Sequence, residues 1–299
     1  MKKTLSLLVC LGITLLVIFN LNRISDFLAD FLENEKKVSI ASNNEYTKDY
    51  DFKFVQMSKN YVPYSYQGIL NIIFSTLNNG WDSFTFYCPD EYTDCLKDVN
   101  KISNGDDKSL LSNINNFVHP YNSYSKIGIS SSTTGEVTIT VTKLYNDEEI
   151  AKINKGVDEI ITTEISNDMS IEDKILKIHD YIINNTRYDI NKSSNYSYTA
   201  MGPLFNGTAV CSGYADLMAI FLTKFGVKNF KVASDTHVWN AVNVNGEWLS
   251  LDLTWDDPVT KNSDVDTLLH QFFLVNKQKL FEFDTKDHNY DATIYQELN

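Results

Sequence analysis

The chain has 299 residues, 43% of them hydrophobic and 13% aromatic, which is enough for a sizeable core and unlike a disordered chain. Its formal net charge is -13, and no lysine or arginine cluster or basic-aromatic patch offsets it, so a nucleic-acid partner is not expected.

The N-terminus reads MKKTLSLLVCLGITLLVIFNLNR, and from Leu5 to Leu21 it carries no charge. That length is at the short end of what spans a bilayer. Lys2 and Lys3 precede the run and Asp26, Asp30 and Glu33 follow it, which places the N-terminus in the cytoplasm and the rest outside. A cleaved signal peptide, giving a secreted protein, is the alternative. The run ends Ile18-Phe19-Asn20-Leu21 without a small-x-small cleavage site, which favours an uncleaved anchor over residues 1–23. Ile24, Phe27, Leu28, Phe31 and Leu32 then follow helical spacing, and Glu33 to Tyr50 is polar; residues 24–50 read as a juxtamembrane amphipathic helix and a tether.

Residues 51–145 read as a small α/β region. Ile69, Leu70, Ile73, Phe74 and Leu77 mark a helix ending near Gly80, and SFTFYC alternates as a strand. Tyr92, Cys95, Leu96, Val99 and Ile102 line one helix face, and Leu110, Leu111, Ile114, Phe117 and Val118 another. KIGIS and EVTITVTKL, separated by SSTTG, form a hairpin pattern. Cys88 and Cys95 lie close enough for a local disulfide in an oxidising compartment, with two buried free thiols the other reading. Their spacing is not a zinc signature and the chain has no C-x-x-C, so no metal is expected.

Residues 146–299 begin with two helical patterns, one over Ile150, Ile153, Val157, Ile160 and Ile161. The other starts at Ser170-x-x-Asp173 and runs along Ile171, Ile175, Ile178 and Ile182. A third helix carries Tyr214, Leu217, Met218, Phe221, Leu222 and Phe225 and stops at Gly226, with Cys211 directly in front of it. Strand patterns follow in FKVAS, HVWNAVNV and EWLSLDLTW.

A thiol at that position raises the question of a base. His179 falls on an apolar stripe and reads as a core histidine, His119 precedes a proline turn, and His270 and His288 lie in the C-terminal segment without an obvious acidic orienter. His237 differs. Asn245-Gly246 between two alternating runs is a two-residue hairpin signal, which pairs Val244 with Glu247 and, counting outward, Trp239 with Asp252 and His237 with Thr254. His237 and Asp252 are then diagonal neighbours on one face, while Val238, Val242, Val244, Leu249, Leu251 and Leu253 gather on the other as a core face. Asp256 shares the parity of Asp252, but the DDP sequence argues that the strand breaks there. An imidazolium and a helix N-terminus both favour a thiolate, and a carboxylate behind the imidazole fixes its tautomer. Cys211, His237 and Asp252 therefore have the chemistry of nucleophile, base and orienter for acyl transfer.

GTAVCSGYADLMAIFLTKFGV, HVWNAVNVNGEWLSLDLTWDDP and the preceding KILKIHDYIINNTRYD resemble the bacterial transglutaminase-like superfamily. The resemblance covers about residues 170–275 and, loosely, the chain from 50 onward. Glycines flank the cysteine, followed by His-x-Trp and Gly-x-Trp-x-x-x-Asp; Thr208-Ala209-Val210 departs by lacking a glycine nearer the cysteine. The resemblance implies an α+β, papain-like core in which a helix bearing Cys211 packs on an antiparallel sheet bearing His237 and Asp252. It also implies a thioester formed on Cys211 from a protein or peptide carboxamide, from the cell envelope in the extracytoplasmic reading, and resolved by an amine or water. The family includes transglutaminases, cysteine peptidases, amidases and inactive members, so a silent binding or scaffolding module is the rival. No cofactor is expected: zinc-binding cysteines of the peptide N-glycanase relatives and a calcium loop are both missing. The Cys211 main-chain N–H is the natural oxyanion donor, with Tyr188 and Trp239 as candidate partners, and Trp239, Trp248 and Trp255 as candidate cleft walls. The oligomeric state is not legible.

Overall fold

The structure, a computed structural model, describes residues 18–25, 28, 38, 40–106, 109–259 and 268–299. It divides into two compact units, 1–41 and 42–299. Most of the expected anchor lies outside the described residues; residues 18–19 and 21–25 are helical. Among the described residues no helix is long and apolar enough to cross a membrane. The amphipathic stretch from Ile24 to Leu32 is described only in part.

Residues 42–50, read as the end of a tether, belong instead to the larger unit. The buried Lys48 ammonium donates to the Asn229 carbonyl at 2.6 Å, and the Tyr50 hydroxyl donates to the same oxygen at 2.8 Å. The Lys48 main chain is also paired on both sides by the Asn78 side chain. Polar composition conceals this docking, because it is made by hydrogen bonds rather than by apolar burial.

The next segment contains α1 (Tyr66–Asn78), β1 (Ser83–Tyr87), α2 (Cys95–Asn104), α3 (Leu110–Asn116), β2 (Tyr124–Ser131) and β3 (Glu136–Lys143). The strands form an antiparallel sheet in the order β1-β3-β2, and the expected hairpin pairs Ile129 with Ile139. A disulfide joins Cys88 to Cys95, with Cα atoms 5.7 Å apart, and ties the end of β1 to the start of α2. Closing so short a loop should contribute about 2.5 kcal/mol by limiting the unfolded chain. Denaturant midpoints with and without reductant check this, and equal midpoints would count against it.

The remainder holds α4 (Asp147–Glu164), α5 (Ile171–Asn184), β4 (Arg187–Tyr188), β5 (Thr208–Ala209), α6 (Cys211–Lys224), β6 (Asn229–Ala233), β7 (Val238–Val244), β8 (Glu247–Leu251), α7 (Leu253–Asp256) and α8 (Lys277–Phe283). Asn146 and Glu149 form a capping box at the start of α4, and Ser170 accepts from the Asp173 N–H at the start of α5. Helix α6 is buried almost all round, from Gly213 to Leu222, so it is the central helix rather than a surface one. Burying each of its large side chains contributes about 1.5–3 kcal/mol.

Strands β6, β7 and β8 form an antiparallel sheet in sequence order. Val244 pairs with Glu247, and Asn245 and Gly246 take φ of 53° and 90°, as a turn with two left-handed positions requires. Val242, Val244, Leu251 and Leu253 join the core cluster with Leu217, Met218 and Phe221 of α6, as the alternation implies. Asn240, off pattern in sequence, is buried on that face and donates to the Ala215 carbonyl of α6 at 3.0 Å. Lys231 of β6 reaches the Asp216 carboxylate at 2.6 Å, and Asp216 also accepts from the Tyr145 hydroxyl at 2.6 Å.

The opposite face is buried too. Phe230 stacks on Phe117 with centroids 5.0 Å apart and meets Phe52 at 5.4 Å. Residues 51–145 and 146–299, distinct in the sequence reading, therefore share one unit through this aromatic layer. One strand ends earlier than expected. The β7–β8 ladder stops at Asn240–Leu251, and Asp252 caps α7 by accepting from Thr254 and Trp255 N–H at 2.9 and 3.3 Å.

Candidate active site

Cys211 is the first residue of α6 and is partly exposed. Val210, before it, offers no side-chain cap, so the positive dipole end of the helix lies at the cysteine without a capping side chain. The glycines around the cysteine have steric causes. Gly207 has φ of 65°, and a Cβ on Gly213 would sit 2.5 Å from the Ser197 carbonyl, which lies over the first turn. Ser212 Oγ donates to the Tyr198 carbonyl at 3.0 Å and ties the turn to the same loop. Asp189, accepting from Ser193 and Ser197, holds that loop in place.

His237 lies just before β7. Its N–H donates to Ser234 Oγ at 3.1 Å and its carbonyl accepts from Ser234 N–H at 3.0 Å, so the β6–β7 connection sets its position. Its Nε2 is 2.5 Å from Asp252 Oδ2, and the Cys211 thiol is near enough to act on the charge of the imidazole. With Nε2 engaged by the carboxylate, Nδ1 is the nitrogen left for the sulfur. Burial opposes the charged imidazole, but the attraction of Asp252, its hydrogen bond and then Cys211 outweigh burial and raise the His237 pKa to about 10. Asp252 is fully buried; burial alone would raise its pKa, and His237 and His288 hold it well below the usual carboxylate range. The three residues that sequence reasoning selected are thus assembled.

Asp256 is elsewhere: its Oδ2 meets His179 Nε2 at 3.2 Å and its Oδ1 accepts from Phe272 N–H at 3.0 Å. His179 is the buried core histidine expected of it. His119 is buried as well, with Nδ1 accepting from the Tyr121 N–H.

Sequence reasoning missed His288. Without an obvious orienter in sequence, it nonetheless has its Nε2 2.8 Å from Asp252 Oδ2 and its Nδ1 2.9 Å from Asp284 Oδ2. The pair Asp284-x-x-x-His288 was the available local signal; the contact with Asp252, 36 positions away, was not visible. His237, Asp252 and His288 bring three metal-type donor atoms within 4.8 Å, but these atoms are engaged with one another. His288 stacks on Phe272 and His237 on Trp239, so aromatic rings wall the chain of hydrogen bonds from water. His288 supports the carboxylate at the same oxygen, Oδ2, that His237 engages. His288→Leu should therefore move the acid limb of any Cys211-dependent rate to higher pH, because Asp252 loses a donor that favours its charged form. His288→Gln, which keeps an N–H donor, should restore much of the native profile; identical profiles for both variants would contradict this role.

A cleft of about 350 Å³ opens beside His237, lined by Tyr188, Thr254, Trp255, Asp257 and Asp287 among others. Tyr188 is half-buried, and burial followed by the nearness of Cys211 raises its pKa, leaving a phenol that can donate toward the reacting carbonyl. Trp239 cannot serve that way: it is buried and its indole N–H donates to Ser250 Oγ at 3.4 Å. Of the three candidate tryptophans only Trp255 lines this cleft; Trp248 lines a different depression, beside Tyr50.

This arrangement of thiol, imidazole and carboxylate coincides with a family match. Residues 159–253 match the transglutaminase-like superfamily, so the chain contains a transglutaminase-like domain. Two solved structures are similar. One is a transglutaminase, 14% identical, covering 48% of this chain and 47% of its own, with a TM-score of 0.35. The other is a protein of Cytophaga hutchinsonii assigned as a candidate cysteine protease, 17% identical, covering 43% and 61%, with a TM-score of 0.29. The chain spans less than two thirds of the length of either. No curated protein matches the chain.

Proposed function

We propose that the protein is a membrane-anchored, extracytoplasmic cysteine acyltransferase or hydrolase acting on protein or peptide carboxamides. The observation that carries the reading is the buried His237–Asp252 pair, beside which a thiol stands at a helix N-terminus close enough to favour the charged imidazole. The Cys211 thiolate attacks the carboxamide carbonyl, and the oxyanion is received by the Cys211 N–H and the Tyr188 hydroxyl. The C–N bond breaks as the imidazolium gives its proton to the leaving amine or ammonia, which leaves a thioester. An acceptor amine or water then attacks the thioester, His237 takes its proton, and the thiolate departs. Asp257 and Asp287 line the cleft, and no lysine or arginine does so among the described residues, a rim that suits a cationic amine acceptor. The apolar run before Arg23, its flanking charges and the Cys88–Cys95 bridge support the location.

The test is incubation of the full chain with cell-envelope protein and a labelled primary amine, beside Cys211→Ala. Label incorporation identifies a transferase, and ammonia or peptide release without incorporation a hydrolase. Neither, with no thioester trapped, would defeat the proposal. For the location, protease added to intact cells should degrade the protein, and full-length protein recovered from the cytosol would refute the topology.

A further inference from the structure

A second cluster of chemistry-bearing side chains lies away from the thiol, on α5 and the segment before α8. His179 Nδ1, Asp180 Oδ1 and His270 Nε2 lie within 4.8 Å of one another. Asp180 Oδ1 is 2.9 Å from His179 Nδ1 and 2.7 Å from His270 Nε2. His179 is fully buried, while Asp180 and His270 are open enough for an ion to enter, with side chains 30% and 45% exposed.

We propose that His179, Asp180 and His270 bind a divalent transition-metal ion of the zinc class. Two imidazoles and one carboxylate are the donor set that such ions take, with solvent completing the coordination. Donors bonded to zinc at about 2.1 Å in tetrahedral geometry stand roughly 3.4 Å apart, so the contacts of 2.9 and 2.7 Å would open by about half an ångström as the partly exposed Asp180 and His270 side chains make room for the ion. The buried histidine is also prepared as a ligand. Its Nε2 lies 3.2 Å from the buried Asp256 carboxylate, the outer partner that fixes a metal-binding ring. The tautomer that donates to Asp256 leaves a lone pair on Nδ1, facing an Asp180 oxygen that is itself an acceptor. Two acceptors in contact call for a cation between them, either a metal ion or a proton. Asp256 ends α7, which Asp252 caps, so a bound ion would brace the segment carrying Trp255.

The test uses the full chain as Cys211→Ser, which removes the competing thiol, stripped with EDTA and titrated with Zn²⁺ or Co²⁺ alone. The expected result is one Zn²⁺ per chain, with affinity at least about tenfold weaker in His270→Ala and in Asp180→Asn. His237→Ala should leave it unchanged. Co²⁺ should give visible absorption bands that His270→Ala abolishes. Circular dichroism shows that each variant is folded, and Asp180→Asn serves if His270→Ala is not. Absence of Zn²⁺ binding, binding that survives both substitutions, or binding lost with His237→Ala would overturn the proposal; the first outcome would mean that a proton holds the cluster.

Discussion

Iodoacetamide should label Cys211 at pH 6 at least about tenfold faster in the native chain than in His237→Ala. An unassisted thiol with a pKa near 8.5 is only about 0.3% thiolate at that pH. In the native site the imidazolium stands beside the sulfur, and Asp252 keeps it charged up to about pH 10. The advantage of the native chain should narrow as the pH passes ~8.5, where the thiol of the variant ionises unaided. Stability should follow the same group. The folded pKa of His237 lies above the unfolded ~6.5, so its contribution is complete below ~6.5 and is lost as the pH rises through about 10. Equal labelling of the two chains at every pH would remove His237 from the chemistry.

Asp252→Asn should lower turnover by about three to four orders of magnitude while the protein stays folded. Asparagine keeps Oδ1, which accepts from Thr254 and Trp255, so the cap of α7 survives. The damage falls at Oδ2. There an amide N–H₂ would confront two imidazole Nε2 atoms, and His237 would lose both its tautomer and its countercharge. Asp256→Asn should cost far less turnover, because its carboxylate serves His179 and the Phe272 N–H. Circular dichroism alongside rates of amine incorporation or ammonia release separates folding from chemistry. If Asp256 proved the sensitive position, the role given to Asp252 would be wrong.

The site was legible wherever it depended on short-range geometry. Asn245-Gly246 set a register that buries the aliphatics of β7 and β8, and the same count brought His237 to Asp252. Cys211 was legible because an amphipathic pattern begins directly after it. What stayed hidden depended on tertiary contacts. Trp239, a candidate cleft wall by sequence, is core instead, because His288 and Tyr290 from the C-terminal segment pack against its ring. The run through Trp255 looked like strand because a lone aspartate cap is a weak signal beside five alternating residues. His288 acquires its meaning only when the chain returns to Asp252 from a distance.

The Asp252 carboxylate accepts four hydrogen bonds, from His237, His288 and the N–H groups of Thr254 and Trp255. Three of those donors come from residues beyond 253, where the family match ends. A chain trimmed to residues 159–253 would keep Cys211, His237 and Asp252 and yet leave the carboxylate free to rotate, with one donor in place of four. The smallest body that keeps this site intact therefore extends at least through His288, and on the other side through the Phe117 layer that backs the sheet. Family boundaries mark the recurring part of this protein, while self-sufficiency requires the wider span.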